Sequence, residues 1–418
     1  MEKMKILASR RGLTCLLDEK PFDGINGSGK HCNWSITVDG QNLLNPGDHP
    51  ETNVRFLAFL SCMVRAIDEY QALLRATAAS EGNDRRLGGN EAPPAIVSMF
   101  LGDDLEELVN AVANGDTATL DSSSTLDLGA EVIPNFRRDT SDRNRTSPFA
   151  YTGQKFEFRM PGSQDNLSDA VMVINSALAS AVFEFNILAQ KAVGDLKKSE
   201  IDNKAFVNSE IMKIAAEFFA AHKRILYSGN GYSEKWVAEA KARGLANLPT
   251  TADALPQWVS DKSVELFQKF NILNEAELNS RYISYLEKYN KLINIKANVM
   301  HRMTKRTYIP AISAYAAEIA QQINDIKKAN GEAKLHHQNK LLNELLEGLQ
   351  QINENLDTVS QFKEQVAGIE DEQRKADFNA HHFVPAMQKL RESVDKMEHI
   401  CSRDYWPVPS YNNMLFYV

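Results

Sequence analysis

The chain has 418 residues, of which 43% are hydrophobic and 24% charged, enough to bury a large core and to divide into two or three domains. Its formal net charge of −8 at pH 7 argues against a nucleic-acid partner, because a phosphate backbone calls for a clustered surplus of Lys and Arg. Cys15, Cys32, Cys62 and Cys401 lie at irregular spacing that matches neither a metal motif nor a disulfide framework, so they are expected to be free buried thiols in a reducing compartment.

In chain order, residues 1–11 carry Glu2, Lys3, Lys5, Arg10 and Arg11 and lack the apolar run of a signal peptide, so a cytoplasmic protein is expected. The loop at 24–31 reads Gly-Ile-Asn-Gly-Ser-Gly-Lys-His, close to a phosphate-cradling P-loop. It departs from one where the chemistry lies: His31 replaces the Ser or Thr that holds Mg²⁺, and a strand follows where a helix is required. Residues 31–38 alternate, with Cys32, Trp34, Ile36 and Val38 on one face and His31, Asn33, Ser35 and Thr37 on the other. The apolar stretch at 54–74 is interrupted by Arg55, Arg65, Asp68 and Glu69, so no segment is expected to span a bilayer unaided. Loops dense in cations and turn formers follow at 83–94 and 143–148. In residues 154–160, Phe156, Phe158 and Met160 share one face while Lys155, Glu157 and Arg159 share the other.

An imidazole, a carboxylate, a guanidinium and an ammonium on two polar strand faces suit a divalent metal bound to phosphate, provided both faces line one cavity. A solvated ladder of surface ion pairs has the same spacing, and both readings stand at this point.

Beyond residue 165 the pattern turns helical. Residues 229–232 form a turn, Ser233 N-caps a helix running to Arg243, and 250–256 is a connector. Leu342, Leu345, Leu349, Ile352, Leu356, Val359, Phe362, Val366 and Ile369 recur at steps of three and four, as do Val384, Met387, Leu390, Val394, Met397 and Cys401. The polar residues between them predict a helical hairpin over about 330–401. Adjacent histidines at 336–337 and 381–382 point to different sides of a helix and are expected on solvated faces.

Taken in order, these segments resemble glutamine synthetase. Asn26-Gly27-Ser28-Gly29-Lys30-His31 with Ser35, Arg86-Leu87 through Asn90-Glu91-Ala92-Pro93, Asn144-Arg145-Thr146, and Glu157-Phe158-Arg159-Met160-Pro161 are similar to four signatures of that family. Glu19-Lys20-Pro21-Phe22, Arg145-Thr146-Ser147-Pro148-Phe149 and the helical tail resemble its type III branch. The resemblance implies an α+β fold: a partial antiparallel β-sheet of the catalytic domain with flanking helices over 1–195, then an all-helical domain over 196–418.

It also implies roles. His31 and Glu157 would be ligands of an Mg²⁺ or Mn²⁺ that bridges the phosphates of ATP. Asn33, Ser35, Arg145 and Lys155 would lie along the nucleotide. Asn26, Gly27 and Arg86 would hold glutamate, Arg159 its reacting carboxylate and the phosphoryl group, and Arg145 the transferring charge. Glu91 would take a proton from ammonium. The implied reaction joins ammonia to glutamate through a γ-glutamyl phosphate, with no nucleic acid and no membrane involved, in a homo-oligomeric ring.

Some positions depart from the family. Lys30 replaces an apolar residue, Asn33 stands where many relatives have His, Lys155 is often Arg, and Ala150 nominally matches a second nucleotide-binding arginine. The family's remaining metal-binding glutamates and small N-terminal β domain precede this region, so the chain alone is expected to be incomplete for catalysis and to take a complementing N-terminal chain. A non-catalytic assembly or regulatory partner of a complete synthetase is the alternative.

Overall fold

The computed structural model describes residues 2–13, 15, 17–21, 24–89, 92–116, 125–126, 136–137, 146–194 and 204–409. The strands are β1 (Cys32–Trp34), β2 (Thr37–Val38), β3 (Gln41–Asn42), β4 (Met99–Phe100), β5 (Thr125–Leu126), β6 (Phe136–Arg137), β7 (Phe149–Tyr151) and β8 (Phe156–Phe158). The main sheet runs β1-β8-β7-β4, antiparallel at β1–β8 and β8–β7 but parallel at β7–β4. It is therefore a mixed sheet, with β4 added in parallel at one edge where an antiparallel sheet was expected.

The alternating segment at 31–38 is cut short. β1 stops at Trp34, and β2 pairs instead with β3 across Asp39 and Gly40, whose φ values of 49° and 74° make a tight left-handed turn. Val38, expected on the packing face, is 50% exposed as a result.

Residues 1–282 and 283–418 form two compact units. The first contains α1 (Glu2–Arg10), α2 (Val54–Ala76), α3 (Glu81–Asp84), α4 (Asp103–Asn114), α5 (Ser168–Gly194), α6 (Lys204–His222), α7 (Glu234–Ala242), α8 (Thr251–Ala254) and α9 (Asp261–Lys269). Residues 204–282, assigned from the sequence to the helical domain, thus pack within the unit that holds the sheet. The helix α10 (Glu275–Met303) runs through the boundary between the units.

Asn53 starts α2 by accepting the Phe56 N–H at 3.1 Å, and the helix then buries Phe56, Leu57, Leu60, Met63, Val64 and Ile67 against α5, α6 and the sheet. Phe56 meets Tyr151 of β7 with ring centroids 6.3 Å apart, tying helix to strand. The expectation about membranes needs correction: α5, with a mean hydropathy of 1.7 in its richest window, is long and apolar enough to cross a bilayer by length and composition. Its apolarity serves packing at Ala170, Val173, Ile174, Ala177, Leu178 and Phe185, which are buried. The cysteines also differ in part, since Cys32, Cys62 and Cys401 are buried while Cys15 is half-buried.

The second unit contains α11 (Ile309–Ala329), α12 (His336–Ala367), α13 (Glu372–Phe378) and α14 (Val384–Ile400). The two arms of the hairpin are α12 and α14, which pack along each other. Leu345, Ile352, Leu356, Val359 and Val366 are buried on the first arm, and Met387, Leu390, Val394 and Met397 on the second. Gly348 allows the arms to approach, because a Cβ there would overlap the Met397 thioether. One-turn π-helical bulges at Thr304–Tyr308 and Asn379–Phe383 precede Pro310 and Pro385. A proline removes one N–H and crowds the preceding turn, and the wider turn relieves both. His336, His337, His381 and His382 are exposed, and among the described residues no group of three His, Cys, Asp or Glu is placed to hold a metal.

Candidate active site

The site is built on the pairing of β1 with β8, which places Asn33 opposite Glu157, Cys32 opposite Phe158 and Trp34 opposite Phe156. Directly paired residues share a face, and side chains alternate along each strand. The polar set His31, Asn33 and Ser35 therefore stands over Lys155, Glu157 and Arg159, while Cys32, Trp34, Phe156 and Phe158 go into the core. Beneath, Phe156 stacks on Phe149 at 5.0 Å and meets Tyr151 edge-on at 5.3 Å. The Trp34 indole N–H donates to Asn175 Oδ1 of α5 at 2.8 Å, which anchors β1.

On the polar side, His31 Nδ1 lies 3.7 Å from Glu157 Oε2, the imidazole about half exposed and the carboxylate mostly buried. The Arg159 Nε and Nη2 donate to the same Glu157 oxygen at 3.3 Å. Burial first, and the Arg159 guanidinium second, lower the pKa of His31 and keep the ring in the neutral form that can donate a lone pair; Glu157 opposes them. Asn33, Ser35 and Lys155 are exposed along the same face. Ala150 pairs with Glu157 from the other side and is fully buried, so no cation is supplied there.

An imidazole and a carboxylate that converge at the mouth of a polar face are donors a hard divalent cation accepts. His31 and Glu157 would hold such an ion from this side of the site.

Arg86 lies behind this face. Its Nη1 donates to Met160 O at 2.8 Å and Asn83 Oδ1 at 3.1 Å, and its Nη2 to Arg159 O at 3.1 Å, while its buried Nε finds no hydrogen-bond partner among the described residues. The guanidinium thus braces the backbone that carries Arg159, where a fork open to a substrate carboxylate was expected. Asn83 helps by donating to Met160 O at 2.9 Å. The glycine loop seats on Arg86: a Cβ on Gly29 would overlap the guanidinium, and one on Gly27 would sit 2.8 Å from Glu19 O and 2.9 Å from Arg86 Cγ. Asn26 is exposed on that loop. Lys30 donates its ammonium to Asp165 O at 2.6 Å, a backbone bond that takes it out of any phosphate cradle. Glu91 and Arg145 lie outside the described residues.

Glu19 was quoted only as part of a branch signature, yet it is 4% exposed. Its carboxylate accepts the Gln164 N–H at 3.0 Å and its carbonyl the Ser28 N–H at 2.7 Å, so it joins the glycine loop to the turn after β8. Nothing in a polar, aperiodic loop signals such burial; the small residues Gly27, Gly82 and Gly162 around it are the only trace.

Residues 2–98 match the glutamine synthetase catalytic domain, and residues 210–327 match the glutamine synthetase C-terminal domain. Over all of its length the chain is 38% identical to "Type-3 glutamine synthetase" of Dictyostelium discoideum, covering 56% of that protein. It is 37% identical to "Glutamine synthetase" of Butyrivibrio fibrisolvens and 34% to that of Bacteroides fragilis, again over its whole length, covering 58% and 57% of them. The chain spans a little over half the length of these curated relatives. The Glu157-to-Pro161 segment falls between the two matched domains and is covered by the full-length similarities. With two of the family's domains matched in order and its relatives alike along the entire chain, this protein belongs to the glutamine synthetase family.

Proposed function

We propose that this chain supplies part of the machinery for ATP-dependent ligation of ammonia to L-glutamate, giving L-glutamine through a γ-glutamyl phosphate. The observation that carries this reading is the approach of His31 and Glu157 across two paired strands, 3.7 Å apart and flanked by a guanidinium. His31 and Glu157 would hold Mg²⁺ or Mn²⁺. Such an ion, when bound with ATP, neutralises phosphate charge and draws electrons from the phosphorus under attack.

The chain's own side chains account for the rest. A carboxylate is a poor electrophile, and Arg159, nearly buried beside Glu157, would bind the reacting carboxylate and the phosphoryl group together. Asn33, Ser35 and Lys155 offer polar groups along the nucleotide. The loop of Asn26 and Gly27 lies over Arg86, whose charge serves the glutamate end of the site and whose bonds fix the Arg159 backbone. By the family pattern, Arg145 stabilises the transferring charge and Glu91 takes the proton from ammonium. The working form is a cytoplasmic homo-oligomer.

The test is glutamine formation from glutamate, ammonium and Mg²⁺-ATP by the protein that carries this chain, compared with Glu157→Gln. The substitution keeps the shape and removes the charge, and turnover is expected to fall at least about a hundredfold. Equal turnover by wild type and variant contradicts the assignment.

A further inference from the structure

The glycine loop at 24–31 is held in two halves by two different segments. Ahead of Asn26 and Gly27 the Lys20 ammonium donates to Ile25 O, and behind them the Ser28 N–H donates to Glu19 O at 2.7 Å. The other half is fastened elsewhere. Gly29 forms an antiparallel bridge with Gly162, the Lys30 N–H donates to Pro161 O at 2.9 Å, and the Lys30 ammonium donates to Asp165 O at 2.6 Å. Residues 19–20 therefore govern the stretch around Asn26, while the turn after β8 governs the approach to His31.

One buried side chain joins the two holds. Glu19 Oε1 accepts the Gln164 N–H at 3.0 Å, so the carboxylate sets residue 19, and with it the hold on Ser28, against the turn at 161–165. The neighbouring ties, Leu17 O to the Gln164 side chain and Asp18 to Arg85, are more exposed and yield more easily. Glycines shape the seat of the carboxylate: a Cβ on Gly82 would overlap Glu19 Oε2, and one on Gly162 would stand 3.0 Å from Glu19 Cγ and 3.2 Å from Oε1. Burying a carboxylate costs hydration that a neutral anchor would keep. The charge also acts on the residue beneath the loop, since burial lowers the pKa of Arg86 and the carboxylates of Asp165 and Glu19 oppose that shift.

We propose that Glu19 is a positioning residue for the glutamate end of the site: its buried carboxylate fixes where Asn26 and Gly27 stand relative to Arg159, while the metal and nucleotide end is fixed separately through Lys30. This rests on the ligase reading above, which gives Asn26 and Gly27 to glutamate and His31 to the metal. Without the carboxylate, residues 19–20 lose their tie to the Gln164 N–H and the loop shifts ahead of Gly29. The bonds of Lys30 to Pro161 and Asp165 remain. A displacement of about 1 Å in groups that orient a substrate is enough to weaken its use. The two ends of one loop are therefore expected to respond differently to one substitution, which a general loss of stability does not produce.

Glu19→Ala and Gly82→Ala are made in the protein that carries this chain; the three atoms nearest the added methyl of the second all belong to the Glu19 carboxyl group, so it displaces that group from its seat. Each variant is titrated calorimetrically with glutamate and separately with Mg²⁺-ATP, alongside steady-state kinetics. The expected result in both is a rise of about tenfold in the glutamate dissociation constant and KM, with the nucleotide constants within about twofold of wild type. In the double variant Gly82→Ala is expected to add less than about twofold to the effect of Glu19→Ala, because both act through one carboxylate. Should Glu19→Ala fail to fold, Gly82→Ala carries the same test. Unchanged glutamate constants, or glutamate and nucleotide constants shifted equally, overturn the proposal while leaving the ligase reading intact. A wild-type protein that binds no glutamate overturns both.

Discussion

At the scale of single residues, the glycines around Arg86 are the most demanding positions. Gly29 and Gly27 let the loop lie against a guanidinium that is 3% exposed and holds the carbonyls of Arg159 and Met160. Gly29→Ala must displace either the loop or Arg86, and with it the Arg159 backbone. The expected outcome is a loss of at least about tenfold in kcat/KM with the protein still folded by circular dichroism, since misplacement of about 1 Å carries a rate penalty of this order or more. Undiminished kcat/KM shows that the loop tolerates a methyl group and that Arg86 does not fix Arg159. At this scale the polar faces that carry His31, Glu157 and Arg159 were legible, because alternation places them on one side of their strands. The inward turn of Arg86 and the burial of Glu19 were not, since both depend on loops that meet only in the folded chain.

At the scale of elements, long helices read well and short strands did not. The hairpin arms follow from their apolar period, and α12 with α14 reproduces it. Ile352 is fully buried between the arms, and Ile352→Ala is expected to destabilise the unit by about 2–5 kcal/mol in denaturant unfolding. A change under about 1 kcal/mol would place that side chain outside the seam. The parallel pairing of β4 with β7 escaped the sequence because strands of two and three residues have no period to detect.

A second inter-element device was also hidden. Arg75 of α2, 1% exposed, donates to Leu248 O at 2.9 Å and lies 3.5 Å from Asp84 of α3. Asp84 in turn accepts the N–H and hydroxyl of Thr251 at 2.8 Å each. Burial pushes the Asp84 carboxyl up from 3.8 to about 6, with Arg75 and Thr251 opposing it. A carboxyl with a raised folded-state pKa binds more protons folded than unfolded between the two values. Its favourable contribution is therefore full at the acid end of that window, is lost as pH rises through it, and is absent above. Measured by denaturant unfolding, wild type is expected to gain stability relative to Asp84→Asn on going from pH 7 to pH 4.5. A gap that stays constant or moves the other way contradicts a desolvated Asp84.

At the scale of the whole molecule, the sequence separated a sheet-bearing half from a helical half, while the compact units divide at 282/283 within α10. Residues 204–282 read as helical and are helical. What periodicity cannot state is which core an amphipathic helix covers, and here α6 covers α2 while the 226–227 segment extends the sheet. The same separation governs the site. His31 and Glu157 are far apart in the chain and meet because β1 and β8 pair, so the site depends on that pairing.

The most direct measurement is therefore Mn²⁺ binding, followed by electron paramagnetic resonance, with and without ATP, in wild type, His31→Ala and Glu157→Gln. Two ligands on one ion predict that each substitution weakens ATP-dependent Mn²⁺ binding by about tenfold or more and that the double variant loses little beyond the single ones. Wild-type affinity in both single variants, or losses that simply add in the double variant, would show that the imidazole and the carboxylate do not share a cation.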